Sequence, residues 1–136
     1  MEARASACFV LVEETDPGRI VGYYTLSQTA IYLEQLPETL TRKLPRYREL
    51  GATLIGRLAR DSAWRGRNIG GLLLIDALRR SVRLCAEAGA VVVLTDPKDA
   101  KARRFYEGFG FQALDDRRLF ISMKELLERE AKGWTP

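Results

Sequence analysis

Apolar and polar positions along the chain alternate between short runs and helical stripes. Residues 8–12 form an unbroken apolar run, EETDPGR supplies turn chemistry, and IVGYYTLSQTAIYL resumes the pattern, which predicts a hairpin of residues 9–12 with residues 20–27. LEQLPETLTRKLPRYREL has prolines, alternating charge and no long amphipathic period, so it reads as an irregular or briefly helical excursion. Residues 52–59 read as a buried strand running into WRGRNIGG. After that turn Ile69, Leu72, Leu73, Ala77, Leu78, Val82, Leu84 and Cys85 recur at helical spacing, with Asp76, Arg79, Arg80 and Arg83 on the other side. The stripe predicts a helix of about 16 residues, stopped by Gly89 as a C-cap glycine.

AVVVL has the β-branched content and the length of a central strand with both faces covered. TDPK then leads to a second helix over residues 100–108, and GFGFQALDDRR leads to a last strand over residues 119–123. The order strand, turn, helix, strand makes residues 55–94 a βαβ unit, for which a right-handed crossover is expected. The tail KELLEREAKGWTP has helical propensity but little room to pack, so its end is expected to fray. The apolar pattern begins at residue 8, which leaves no place for an element ahead of the hairpin and suggests a shortened chain.

Composition narrows the chemistry. A chain of 136 residues suits one domain with one core. The 22 Lys and Arg against 18 Asp and Glu give a net charge of +4, with the excess gathered over residues 42–83, which fits an anionic partner or a solubility device. No histidine is present, which excludes Ser/His and Cys/His triads and the imidazole ligands usual at catalytic zinc. Cys8 and Cys85 have no paired spacing, so a disulfide framework or metal site is not expected and a reducing cytoplasm fits better. No apolar run reaches the roughly 20 residues that span a bilayer.

The stretch WRGRNIGG joins a strand to a helix, and such a junction directs several amide N–H groups and the positive end of the helix dipole at one point. Gly66, Gly70 and Gly71 permit close approach, Asn68 tolerates positive φ, and Arg65 and Arg67 add charge-assisted donors. The loop has neither the GK[ST] of a Walker loop nor GxGxxG. From the residues alone, a turn that merely closes a strand onto a helix explains it as well as an anion cradle does.

LARDSAWRGRNIGG resembles the R/Q-x-x-G-x-G/A motif of the GNAT acetyltransferases, and KARRFYEGFGF resembles their later A-x-x-F-Y-x-x-x-G-F motif. The match covers residues 51–123. It implies an α/β GNAT fold, with a mixed, mostly antiparallel twisted sheet, a splayed parallel strand pair flanked by helices, and the N-terminal strand and helices missing. It also implies acetyl-CoA as cofactor, its pyrophosphate held by residues Arg65, Gly66, Arg67, Asn68, Ile69, Gly70 and Gly71. Arg65 matches the leading position and Gly70 the closing glycine, while Asn68 replaces the first glycine. The pantetheine arm would pair with Leu58, Ala59 and Arg60, and Asp99 stands where many members have an Asn that bonds this arm. Tyr106 matches the tyrosine placed near the thioester sulfur, as proton donor to the leaving thiolate.

Without histidine, the candidate bases are Glu49, Asp61, other carboxylates or water, which favours an α-amine over a lysine as acceptor, because an α-amine has a pKa near 7.7–8.0. A narrower resemblance agrees. IVGYYTLSQTAI, RKLPRY and the two motifs are similar to the GNAT toxins of bacterial toxin–antitoxin pairs, which acetylate aminoacyl-tRNA, block translation and are neutralised by a ribbon-helix-helix antitoxin. The resemblance implies that Arg42, Lys43, Arg46, Arg48, Arg79, Arg80 and Arg83 form an RNA backbone surface, widened where two copies pair as a homodimer. Acetylation of a small amine or a protein N-terminus, and a partner-binding remnant without catalysis, remain the alternatives.

Overall fold

The computed structural model describes residues 6–134. Strands β1 (Ala7–Glu13), β2 (Asp16–Tyr32), β3 (Glu49–Arg60), β4 (Ala90–Thr95), β5 (Gln112–Ala113) and β6 (Leu119–Ser122) form one sheet in the order β1-β2-β3-β4-β6-β5. Only β3 and β4 run parallel; the other neighbours are antiparallel. Helices α1 (Glu38–Thr41), α2 (Ile69–Ala88), α3 (Ala100–Gly108) and α4 (Met123–Lys132), with short 3-10 turns at Leu33–Gln35 and Ser62–Trp64, complete the elements of the described chain. This is the mixed sheet with one parallel pair that the resemblance implies.

Two apolar clusters mark the two faces of the sheet. Val93, Leu119 and Ile121 pack with Leu74, Ala77 and Leu78 of α2 and with Leu126 of α4. Their strand neighbours Val92, Leu94 and Phe120 point the other way, toward Ile31, Leu36, Leu40 and Leu44. This alternation is the two-residue period of a strand, and it explains why AVVVL carries no polar residue: both of its faces are covered. Each Leu fully buried in this way contributes about 1.5–3 kcal/mol relative to exposure.

Several boundaries differ from those read in the sequence. The β1–β2 hairpin turns at residues 14–15, because Asp16 pairs with Glu13 after two register shifts whose extra residues lie in β2, so DPGR lies within a strand. Helix α2 runs 20 residues, with Leu74 and Ser81 buried and Leu72 left exposed; Gly89, at φ 69, ends it as expected. The tail is the clearest correction. Met123 and Leu126 are buried, α4 packs on α2, and the Ser122 hydroxyl caps it by accepting from Glu125 N at 3.1 Å. The room to pack that the sequence did not reveal is found because two apolar residues at i and i+3 meet the edge of the first cluster; residues 135–136, the end expected to fray, lie outside the described residues.

Gly22 sets how closely α2 approaches. A Cβ there would come within 2.8 Å of both Ala59 O and Leu73 Cδ1. The glycine therefore lets α2 lie directly on β2 and β3, at the height where the site begins.

Candidate active site

Strand β3 has two unlike halves. Residues 51–55 pair with β4, and the last pair is Ile55 with Thr95. Beyond it residues 58–60 pair only with β2, through Leu58 with Tyr24, Ala59 with Tyr23 and Arg60 with Gly22. Between the halves β3 carries one extra residue: Leu26 faces Ile55 and Tyr24 faces Leu58, two steps against three. This bulge puts Ile55 and Leu58 on the same face and bends the strand. Thr25 pins it, because its Oγ1 accepts from Arg57 N at 3.0 Å and lies 2.8 Å from where a Cβ of Gly56 would sit. The far half of β3 thus presents main-chain groups toward a gap where β4 has ended, and buried or ligand-facing main-chain groups seek partners.

That gap opens into a cleft of about 650 Å³. Leu58, Ala59 and Arg60 form one wall, and Arg65, Gly66, Asn68, Ile69, Gly70 and Gly71 form the end. Asp99 lies opposite, with Lys98, Lys101, Ala102 and Phe105. Every residue expected at the cofactor therefore gathers here except Arg67, whose guanidinium stacks on the Trp64 ring with 4.8 Å to the centroid.

The local geometry of the loop follows from its residues. Asn68 takes φ 55 and ψ 32, left-handed values that Asn accepts more readily than most side chains. Gly66 takes φ 83. Asn68 O accepts the first helical bond, from Leu72 N at 3.1 Å, so the amides of Ile69, Gly70 and Gly71 precede the helical ladder. No side chain caps them: Asn68, the N-cap residue, makes no such bond, and its side chain fills the space that a Cβ of Gly71 would need. Open amides, a helix dipole worth roughly half a positive charge and Arg65 meet at one end of the cleft, with Arg60 on the adjoining wall; neither arginine has an ion-pair partner among the described residues. An anion fits this end.

The opposite wall is organised differently. Asp99 caps α3, its Oδ1 accepting from Ala102 N at 2.8 Å, so its carboxylate is already engaged. Tyr106 lies one position beyond Phe105, is buried, and packs edge-on against Phe105 and Phe111 at 5.3 Å between centroids. It does not line the cleft itself; Phe105 does. Burial raises the Tyr106 pKa and the Thr95 side chain lowers it in part, which places its phenol beside the residue where β4 stops. The phenol therefore carries its proton at neutral pH.

The basic residues separate into two groups on opposite faces of the sheet. Arg42, Lys43, Arg46 and Arg48 follow α1, on the side of the second cluster, with the Arg48 guanidinium 5.8 Å from the Tyr32 ring and the neighbouring Lys124 lowering the Lys43 pKa. Arg79 and Arg83 are exposed on α2. Arg80 differs from both groups in being engaged within the fold: its Nε donates to Tyr24 Oη at 2.9 Å, its charge sits 4.0 Å over Phe9, and Tyr24 Oη donates to Asp76 at 2.5 Å. Burial and the Asp76 carboxylate push the Tyr24 phenol up to about 12. This clasp ties β1 and β2 to α2, and helical spacing alone cannot separate Arg80 from Arg79 and Arg83.

Neither carboxylate considered as a base faces the cleft. Asp61 Oδ1 accepts from Ala63 N at 2.9 Å, and Glu49 pairs with Tyr32 at the far end of β3. Sequence reasoning missed Ser62, Lys98, Lys101 and Thr25. TDPKDAK held the only available signal for the lysines, a cation on each side of a helix-capping Asp.

Comparison with known proteins bears on this geometry. An acetyltransferase (GNAT) domain family model matches residues 4–113. A Sinorhizobium fredii protein named "Probable toxin TacT" is 31% identical over 76% of the chain and 61% of its own length. A Mycobacterium tuberculosis "tRNA-acetylating toxin" is 32% identical over 88% of the chain and 70% of its own. The chain thus spans less than two thirds of the first relative. Among solved structures, AtaT complexed with acetyl-methionyl-tRNAfMet superposes with a TM-score of 0.80 at 24% identity, over 89% of this chain and 73% of that one. AtaTR bound with AcCoA superposes with a TM-score of 0.74 at 24% identity, over 89% and 72%. At that identity both likenesses speak for the fold.

Proposed function

From the premise that the chain belongs to the GNAT acetyltransferases, we propose that it transfers an acetyl group from acetyl-CoA to the α-amino group of an aminoacyl-tRNA and so arrests translation. The observation that carries this reading is the α2 N-terminus, which no side chain among the described residues caps, beside the half of β3 that pairs with β2 but not with β4. The names of the two relatives, a TacT toxin and a tRNA-acetylating toxin, support the choice of acceptor.

The residues present fit the cofactor. The amides of Ile69, Gly70 and Gly71, with Arg65, hold a diphosphate, and the main chain of residues 58–60 offers an edge to an extended amide-bearing arm. Bound acetyl-CoA supplies acetyl as an activated thioester. Tyr106 Oη, kept protonated by its buried site, donates toward negative charge developing on sulfur. The acceptor needs no strong base, since an α-amine is largely neutral just above pH 8, in keeping with the absence of histidine. Arg79 and Arg83, with Arg42, Lys43, Arg46 and Arg48, contact RNA phosphates; Arg80 holds the fold instead. A ribbon-helix-helix antitoxin, a homodimer and a cytoplasmic site of action complete the proposal. Among the described residues, no helix is long and apolar enough to cross a membrane.

Incubation with labelled acetyl-CoA and either charged or uncharged tRNA tests the reading. Label is expected in the charged sample alone, and equal labelling of both, or of neither, refutes it. Tyr106→Phe should lower kcat by about 100-fold or more, as loss of a general acid does, with CoA affinity changed less than about twofold. An unchanged kcat removes Tyr106 from this role.

A further inference from the structure

The cleft holds more positive charge than one diphosphate requires. Arg65 already stands at the α2 end with the open amides and Arg60 on the adjoining wall, yet Lys98 and Lys101 stand on the facing wall, in the turn before α3 and in its first turn. Both lysines are exposed and make no ion pair among the described residues. Asp99, the one carboxylate on the lining, accepts from Ala102 N through Oδ1 and keeps its charge, so it offsets one of the four cations and leaves three. Four cations and one engaged acid therefore surround the opening.

A second anionic group would satisfy this excess. On the cofactor reading above, on which this inference rests, the ligand carries one: a phosphate monoester on the adenosine ribose, close to doubly charged at neutral pH because its second pKa is about 6. We propose that Lys98 and Lys101 form a subsite for this ribose phosphate, so that the chain selects CoA over dephospho-CoA. Lysine suits the task. It meets a freely rotating phosphate as a point charge, with no planar geometry to match. Both lysines are exposed to solvent, so the contribution of the pairing falls as salt rises.

Calorimetry with CoA and dephospho-CoA on the full chain and on Lys98→Gln/Lys101→Gln tests the assignment. The unaltered chain should bind CoA about tenfold more tightly, and the double variant should bind both ligands alike, with its dephospho-CoA affinity within about twofold of the unaltered chain's. Lys124→Gln/Lys132→Gln, an equal change of charge on α4, should keep the preference. An equal loss for both ligands means that the lysines serve the shared diphosphate, and a preference surviving the double substitution means that they serve neither; each overturns the subsite. If the unaltered chain binds both ligands equally, the subsite alone is wrong. If it binds neither, the cofactor reading falls with it.

Discussion

Two helices begin at the same cleft and end their hydrogen-bond ladders in opposite ways. Helix α3 starts from Asp99, extended at φ −157, whose own carboxylate takes the Ala102 amide. Helix α2 starts from Asn68, left-handed at φ 55, whose side chain caps nothing. A side-chain cap stabilises a helix by about 0.5–2 kcal/mol, so α2 forgoes stability that α3 keeps. What it gains is a set of donors open to an external anion. The contrast teaches that a binding site at a helix N-terminus is marked by the absence of a cap as much as by the presence of glycine.

Giving α2 an internal anion should break this contrast most severely. Gly70→Asp has room for its Cβ, 3.5 Å from Phe105 Cζ, and its carboxylate would lie among the open amides. CoA affinity should fall by about 100-fold or more, while Tm holds or rises, because an acid in the first turn of a helix is favourable. Normal CoA binding in calorimetry would contradict the cradle. A fall in both quantities would mean that the loop, and not the donor set, had been damaged.

A smaller effect is expected at Asn68. A residue without its tolerance for positive φ is strained there by about 1–2 kcal/mol, so Asn68→Ala should lower stability by that amount in urea titration, and Asn68→Gly should not. Equal stabilities would show that the left-handed turn is not what Asn68 is kept for. The smallest effect belongs to the capped helix: Asp99→Ala should cost about 1 kcal/mol of stability and leave CoA affinity within about threefold, since removing a negative charge from the wall offsets the loosened turn. A large loss of affinity would mean that Asp99 itself touches the ligand.

Much of the site is legible in the residues because its chemistry is local. WRGRNIGG encodes a left-handed Asn, a glycine with φ 83 and a helix start within eight consecutive positions, and the ten expected residues that line the cleft lie either there, on the strand just before, or at the α3 cap. The periodicity of α2 and the apolar run of β4 place the parallel pair for the same reason: a buried face must be apolar at the period of its element.

Other features depend on which distant residue arrives alongside. That β3 and β4 part company after Ile55 and Thr95 follows from a bulge pinned by Thr25, a partner 32 positions from Arg57. Arg80 is drawn from the charged stripe because Tyr24 and Phe9, more than 50 residues earlier, reach it across the sheet. The tail is ordered by the first cluster meeting Met123 and Leu126, and Lys98 and Lys101 become a pair across from Arg65 only when the strands diverge. Backbone conformation and burial period are set by near neighbours and can be read from the sequence; the partners of a side chain are set by contacts between residues far apart in the chain, and only the folded structure decides them.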